Sequence, residues 1–337
     1  MAEQEHLLIA EEFYQISGEM INSFPKYRLP LALFRYHEDV AQLQPYTARE
    51  QRLSNEQIEE IQELCKEGLL FVSRDDYPIY SRHIINQLDL ILVDQQLKPS
   101  EIAYICTLAL TTRLQAYLEQ PVKIVGDQLM ENVLVVTEYL QNDPVQIKAF
   151  LAHINREHSL LAHSLNTFII GLWLLISTSK TPQHKELDRF ALGFLLHDVG
   201  MSKIPPFILT KTSILTPEER DKILAHPLLG AKMVQKMELG WDELVSATLD
   251  HHERLDGSGY PRKLAGDNIS KIGRIAAIAD SFAAMISKRP YAQIKDPLAA
   301  AQELANDTKR YDTRYTAPLR NALLLKEIAI PDLEQKK

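Results

Sequence analysis

The sequence has few cysteines, no long apolar run and no basic-then-apolar segment at its start. Its two cysteines, Cys65 and Cys106, are too far apart in the 337-residue chain to indicate a disulfide framework or a zinc ribbon. The longest apolar run, residues 168–176, is about half as long as a membrane-spanning helix and predicts a buried helix instead. From these absences we expect a cytoplasmic protein with neither a secretion signal nor a membrane partner.

Acidic and basic residues are distributed unevenly along the chain. Residues 1–150 contain 23 acidic and 12 basic side chains, a net charge of −11, whereas residues 151–337 contain 22 and 25, a net charge of +3; together they give −8. A nucleic-acid-binding surface needs clustered Lys and Arg, so the acidic front half argues against a nucleic-acid partner. The mildly basic second half is compatible with a small anionic substrate.

The front of the chain predicts a small α/β module without a catalytic cluster. Apolar spacing, capping residues and turn signals predict, in order, a helix within residues 1–25, a strand at 27–36 with Pro30 at an edge or a bulge, a helix at 56–67 capped by Ser54, a strand at 69–72, and helices at 79–119 and 122–140.

A turn signal at Asn142-Asp-Pro144 places the predicted domain boundary there. We therefore expect an N-terminal module at residues 1–145, a second domain at 146–325 and a tail at 326–337. The second domain has helical periodicity nearly throughout. One helix start is marked by Thr216-Pro-Glu-Glu219, an N-cap followed by Pro at the first position and two carboxylates. The predicted fold class is mainly α, with the smaller α/β module in front.

Histidine is concentrated in the second domain, where eight of the eleven lie between residues 153 and 252. Buried His and Asp are costly in apolar helices unless they are paired or coordinated. A lone histidine on such a helix is more often a hydrogen-bonded core residue, but here several occur in order. The candidate metal ligands are His163, His197, Asp198, His226, His251, His252 and Asp280.

Five imidazoles and two carboxylates suit two transition ions such as iron or manganese. The carboxylate of Asp198 is the candidate bridge between two ions about 3.5–4 Å apart, an arrangement that can deprotonate a bridging water and neutralise charge on a phosphodiester. We therefore predict a metal centre with two ions per chain.

The ordered motifs HSLNT, HDVG, HP, HHERLDGSGYP, IAD and KRPY resemble the HD-GYP family over about residues 150–320. This resemblance implies an all-helical HD-superfamily bundle and a phosphodiesterase acting on cyclic di-GMP. It assigns metal-ligand roles to the seven residues above, with His197 and Asp198 as the catalytic pair. It also assigns a substrate contact, with a guanine or a phosphate, to Arg289.

The loop within HHERLDGSGYP contributes further candidates. Gly257 and Gly259 permit positive φ and close approach to a ligand, and Tyr260 offers a stacking face and a hydroxyl. These three are predicted substrate-binding residues, although the loop could instead be a plain connection between helices. Glu253 is predicted to orient a histidine rather than to bind metal.

Three positions depart from the family pattern. Ser159 stands where members with a third metal carry a glutamate, which favours two ions; His158 and Glu157 lie nearby but not at the i−4 spacing from His163. Met201 replaces a phosphate-contacting lysine, so Lys203 becomes the candidate substitute. Ala292 stands where a basic residue often follows RPY.

We expect hydrolysis of cyclic di-GMP to pGpG, with further cleavage to GMP as an additional step. Two alternatives remain. One is hydrolysis of another cyclic dinucleotide, which the Met201 and Ala292 departures favour. The other is a catalytically weak cyclic di-GMP receptor that signals through the front module, by contact with a signalling protein or a second copy of the chain.

Overall fold

Four short antiparallel strands form the single sheet among the residues described by the computed structural model, namely 12–92, 97–157, 159–179, 183–211, 213–289 and 293–331. The chain folds as two units, Met1–Cys106 and Thr107–Lys337. The division falls within one helix, and the expected boundary at residues 142–144 lies inside the second unit.

The first unit contains the sheet and the helices that flank its strands. Its elements are β1 Phe13–Gln15, α1 Gly18–Ser23, β2 Leu33–His37, β3 Gln42–Thr47, α2 Asn55–Lys66, β4 Leu70–Ser73, α3 Tyr77–Asn86 and the start of α4 Pro99–Glu119. The strand order is β1-β4-β2-β3. Leu33, Leu70 and Val72 are fully buried, so one face of the sheet forms the core of this unit.

Local signals in the first unit were predicted well. Ser54 accepts a hydrogen bond from the backbone N–H of Gln57, whose side chain accepts in return from Ser54, and this capping box starts α2 as expected. Ile58, Ile61 and Leu64 are the buried face of that helix. The predicted strand at 69–72 is confirmed as β4.

Two predictions in this unit were only partly correct. Part of the helix expected within residues 1–25 lies outside the described residues, and the rest is β1 followed by the short α1. The strand expected at 27–36 begins only at Leu33, after Pro30, and it is an inner strand paired with both β3 and β4. The pairing of this strand with β3 shifts register between Leu33 and Phe34. The sequence did not predict β1 or β3.

The second unit is helical, which confirms the predicted mainly α class. Its helices after α4 are α5 Lys123–Asn142, α6 Ile147–Leu151, α7 Leu160–Thr178, α8 His184–Leu196, α9 Pro206–Leu209, α10 Pro217–Leu224, α11 His226–Gln235, α12 Asp242–Asp250, α13 Lys271–Ile286, α14 Pro297–Asn306 and α15 Thr313–Leu324. The predicted helix start at Thr216 is confirmed, since Thr216 and Glu219 form a capping box at the start of α10.

Helix α7 is the centre of this unit and packs against α8, α13 and α15. It is long and apolar enough to cross a bilayer by length and composition alone, yet most of its apolar stretch is buried inside the unit. Residues 168–175 are all buried, which agrees with the core helix predicted there. Helix α12 packs against α8, α13 and α11.

Candidate metal centre

The seven candidate ligands lie at helix ends and on helix faces that converge in the second unit. Their positions are His163 in the first turn of α7, His197 and Asp198 directly after α8, His226 at the start of α11, His251 and His252 directly after α12, and Asp280 within α13. Because α8, α11, α12 and α13 form a chain of packed neighbours, residues far apart in sequence meet at one place.

Gly200 allows one of these approaches. It lies in the 3₁₀ turn Val199–Lys203, which packs against α11. A Cβ atom at this position would lie 2.0 Å from the carbonyl oxygen of His226, so only glycine fits. This close approach brings Asp198 next to the His226 ring.

The seven residues include two overlapping ligand groups. One contains Asp198, His226, His251 and His252, the other contains His163, His197 and Asp198, and within each group the ligand atoms lie within 4.8 Å of one another. Asp198 belongs to both. Its Oδ1 lies 3.0 Å from His226 Nε2 and 3.6 Å from His251 Nε2. Its Oδ2 lies 3.7 Å from His163 Nε2 and 3.9 Å from His197 Nε2.

Asp280 is a second carboxylate that reaches both groups. Its Oδ1 lies 3.0 Å from Nε2 of His163, and its Oδ2 lies 3.6 Å from Nδ1 of His252. Each ligand group therefore has a carboxylate oxygen from Asp198 and one from Asp280 beside its imidazoles.

Backbone carbonyls fix the tautomers of three histidines. The Nδ1 atoms of His197, His226 and His251 lie 2.8, 2.7 and 3.1 Å from backbone carbonyl oxygens of residues 194, 223 and 247. A carbonyl oxygen only accepts, so each Nδ1 donates the proton. In the neutral ring the Nε2 atom then presents a lone pair, which is how a metal-binding histidine is held by its outer partners.

These lone pairs point at one another. The Nε2 atoms of His226 and His251 are 3.0 Å apart, and in the neutral tautomers neither carries a proton to share. Nε2 of His197 and Oδ1 of Asp198 are buried without a hydrogen-bond donor. Buried lone pairs facing each other are unfavourable unless a cation lies among them. The donor set therefore fits transition-metal ions.

Most of the pKa shifts favour the metal-binding protonation states. His226 is the exception, because burial lowers its pKa but the charge of Asp198 outweighs burial and raises it. Burial lowers the pKa of His197 to about 4, and burial together with His251 holds the pKa of His252 well below its ordinary value. Burial opposes ionisation of Asp198, but the surrounding imidazoles, His226 first among them, outweigh burial and hold the carboxyl pKa well below normal. The pKa of Asp280 is lowered too, because its hydrogen bond to His163 outweighs burial.

The loop after α12 folds back onto the ligands. The ring of Tyr260 is stacked on that of His252, with centroids 4.7 Å apart and planes at 26°. Gly257 has a φ of +77° as expected. Gly259 serves close approach instead, because a Cβ there would lie 2.5 Å from the backbone of Glu253. Tyr260 is thus placed against a predicted ligand.

The role predicted for Glu253 was wrong. Its two carboxylate oxygens accept hydrogen bonds from the backbone N–H groups of Arg262, at 2.7 Å, and Leu264, at 3.0 Å. Glu253 is buried and holds the returning loop rather than a histidine ring.

The other candidate positions lie outside the cluster. Lys203 and Arg289 are exposed and Met201 is half-buried; among the described residues, neither cation is hydrogen-bonded to a candidate ligand. Ser159 is the N-cap of α7, where its hydroxyl accepts from the Ala162 N–H at 3.0 Å. His158 and Ala292 lie outside the described residues.

Sequence reasoning missed Arg254, which is buried beside the ligands. Its guanidinium donates to the carbonyl oxygens of His251, at 3.0 Å, and Glu253, at 2.9 Å. It also lies 4.9 Å from the centroid of the Tyr311 ring. The signal available was its position next to the predicted ligands in HHER. Arg254 fixes the backbone from which two ligands project.

Comparisons with known proteins agree with this geometry. Residues 149–315 match the HD domain family. A cyclic di-GMP phosphodiesterase of Thermotoga maritima is 37% identical over 147 residues, which cover 42% of this chain and 38% of that protein. A 3'3'-cGAMP-specific phosphodiesterase of Vibrio cholerae is 42% identical over 115 residues, covering 33% of this chain and 21% of that protein. The chain spans well under half the length of these two relatives.

The fold also resembles a solved structure. Bd1817, an HDG"Y"P protein from Bdellovibrio bacteriovorus, aligns with a TM-score of 0.61 and 15% identity, covering 93% of this chain and all of that one. At this identity the likeness concerns the fold alone. Residues 149–315, which carry all seven clustered residues, therefore form an HD domain of the HD-GYP type.

Proposed function

We propose that the protein is a metal-dependent phosphodiesterase that hydrolyses cyclic di-GMP to pGpG, with further cleavage to GMP, at a centre of two metal ions. The observation that carries this proposal is the pair of ligand groups that share Asp198. Several cyclic di-GMP phosphodiesterases among the relatives, including that of Thermotoga maritima, support the substrate.

The proposed ligands divide between the two groups. His163 and His197 would hold one ion, while His226, His251 and His252 would hold the other, with Asp198 and Asp280 serving both. Two ions held there supply a nucleophile from water at neutral pH and neutralise the phosphodiester charge. Iron and manganese suit the mixed imidazole and carboxylate set.

The chain's own side chains prepare the site in several ways. The lowered carboxyl pKa values of Asp198 and Asp280 keep two negative charges there across the physiological pH range. The carbonyls that accept from His197, His226 and His251 hold those rings in one orientation. Tyr260, stacked on His252, covers one side of the cluster with an aromatic face. A ligand set held in this way needs little rearrangement on binding.

The test is hydrolysis by the whole chain after loading with iron or manganese. Cyclic di-GMP, cyclic GMP-AMP and cyclic di-AMP are supplied separately, and products are resolved by chromatography. We expect pGpG from cyclic di-GMP. A protein with two bound metals that cleaves none of the three would refute the proposal, and tight binding without cleavage would favour a receptor.

A second candidate substrate is cyclic GMP-AMP. The Vibrio cholerae relative specific for 3'3'-cGAMP is 42% identical to this chain over 115 residues, and Met201 replaces the lysine expected against a substrate phosphate. Faster cleavage of cyclic GMP-AMP than of cyclic di-GMP would decide for this alternative.

We also propose that the protein acts in the cytoplasm and that its first unit contacts a signalling partner or a second copy of the chain. The small number of cysteines, two in 337 residues, supports a reducing compartment. Cell fractionation and the solution mass of the purified protein test these two points.

A further inference from the structure

Arg254, Ser281 and Tyr311 meet beside the candidate metal ligands, and we call these three side chains the junction. Nη2 of Arg254 lies 3.4 Å from the Ser281 hydroxyl oxygen, which lies 3.0 Å from the Tyr311 hydroxyl. The guanidinium carbon of Arg254 is 4.9 Å from the centroid of the Tyr311 ring, within cation–π distance. The backbone adds a further bond, because the Leu255 N–H donates to Arg310 O at 3.1 Å. The junction therefore ties together the chain after α12, helix α13 and the link between α14 and α15.

Arg254 is a buried cation that pairs with no carboxylate within the described part of the chain. It is 8% exposed, and its Nη1 donates to the carbonyl oxygens of His251 and Glu253. The His251 carbonyl lies at the C-terminal end of α12, where a cation is favourable. An arginine buried without a counter-ion is costly unless its other contacts compensate, and Arg254 finds such contacts at Ser281 and Tyr311. The position of the His251 carbonyl therefore depends on the other two members of the junction.

Two members of the junction lie next to candidate ligands. Ser281 follows Asp280 in α13, and consecutive helix residues point about 100° apart, so Ser281 can bond to the junction while Asp280 faces the cluster. Arg254 holds the carbonyl of His251, the residue before His252. Between the two ligands, Asp280 Oδ2 lies 3.6 Å from His252 Nδ1. The junction therefore fixes the rotation of α13 about its axis relative to the backbone of the two histidines.

We propose that the three residues of the junction are positioning residues that hold the Asp280 carboxylate against the histidine pair after α12. They thereby set the affinity for the ion bound by the ligand group that contains His251 and His252. This inference rests on the proposed function, which places two ions in the cluster. The ion at His163 and His197 should depend on the junction less, because among the described residues neither histidine is hydrogen-bonded to any of its members.

Titration of the metal-free whole chain with Mn²⁺ tests this role without catalysis. The electron paramagnetic resonance signal of free Mn²⁺ gives the two dissociation constants, and His252→Ala identifies the one that belongs to its group. Arg254→Met should raise that constant by roughly 10- to 100-fold, the range for residues that orient metal ligands, and the other by less than about threefold. Arg254→Lys should recover only part of the loss, because an ammonium lacks the guanidinium fork. Tyr311→Phe removes one hydroxyl and keeps the ring, so a rise of about threefold to tenfold in the same constant is expected.

A double-mutant cycle tests whether the two hydroxyls act together. Ser281→Ala breaks the same bond from the other side, so the variant with both changes should bind the ion no more weakly than the weaker of the two single variants. Tyr315→Phe is the matched control. Tyr315 is also buried, at 6% exposed, and it is not hydrogen-bonded to the junction within the described structure. Both dissociation constants of this control should equal those of wild type.

Two outcomes overturn the inference. One is unchanged constants in folded Tyr311→Phe and Ser281→Ala, which decide the matter even if Arg254→Met does not fold. The other is equal weakening of both ions in step with a lower free energy of unfolding, the result expected from support of the fold alone. A wild type that binds two Mn²⁺ ions but cleaves no cyclic dinucleotide would refute the proposed function. In that case a selective rise of one constant in the variants would still support the junction, and its absence would overturn it.

Discussion

Asp198 and Asp250 are carboxylates beside predicted ligands, with side chains 13% and 1% exposed, yet their surroundings differ. Asp250, directly before His251, accepts from the Ser270 hydroxyl at 2.7 Å and pairs with Arg262. Asp198 is surrounded by imidazole nitrogens, and its Oδ1 lacks a protein donor. Burial of a charge does not distinguish the two sites. Asp198 Oδ1 lacks a hydrogen-bond donor, which indicates a metal site. Asp250 has donors for its carboxylate oxygens, which indicates a structural role.

Removing Asp198 should have the largest effect. Because this carboxylate serves both ligand groups, Asp198→Ala should lower hydrolysis by at least about a thousandfold, the scale on which single catalytic residues act, and should lower metal content as well. Asp198→Asn should fold but bind metal poorly. Near-wild-type rates in either variant would show that the comparison assigns the wrong role to this residue.

Met201→Lys tests the departure beside the site. A lysine there would add a charge-assisted contact worth about 1.5–3 kcal/mol, so kcat/KM on cyclic di-GMP should rise by roughly ten- to a hundredfold. Lys203→Ala is the companion variant. Loss of activity in Lys203→Ala, with no gain in Met201→Lys, would indicate that Lys203 makes the phosphate contact. If both behave like wild type, cyclic di-GMP becomes doubtful as the substrate.

Asp250→Asn tests the structural side of the comparison. The change removes the charge that Arg262 and Ser270 satisfy, so the free energy of unfolding should fall by about 1–3 kcal/mol. Metal content and the kcat of the folded protein should stay within about threefold of wild type. Denaturant titration and elemental analysis measure both. Loss of metal without loss of stability would reverse the assignment.

An effect of similar size is expected on the pH dependence of the stability of the metal-free protein. The pKa of His197 is lowered to about 4 by burial, whereas in the unfolded chain a histidine takes up its proton below about pH 6.5. The unfolded state thus binds more protons in this window, and stability falls as the pH drops from 6.5 towards 4, by about 2 kcal/mol at pH 5 from this residue.

His197→Asn provides the control for that effect. Its unfolding free energy, measured by denaturant titration at several pH values after chelation, should fall less steeply below pH 6.5 than that of wild type. Equal slopes in the two proteins would contradict the buried, neutral state of His197.

The comparison also indicates what sequence can predict. Capping boxes at Ser54 and Thr216 were predictable because each depends on four consecutive residues. Strand β3 was not, since a short strand with half its residues exposed is stabilised by its pairing rather than by its own pattern.

In the candidate site, too, some features follow from local sequence and others depend on residues far apart in the chain. The ligand residues followed from ordered motifs, but the role of Glu253 depends on backbone N–H groups nine and eleven residues further on. The buried hydrogen bond from Arg156 to the carbonyl oxygen of Ile286 joins residues 130 positions apart, and no local pattern predicts it.

Metal content per chain tests the central claim most directly. Wild-type protein expressed with iron or manganese and measured by elemental analysis should contain about two ions per chain, Asp250→Asn should match it, and Asp198→Ala should contain fewer. Three tightly bound ions, or none after supplementation, would contradict the claim that two ligand groups sharing Asp198 form a two-metal centre.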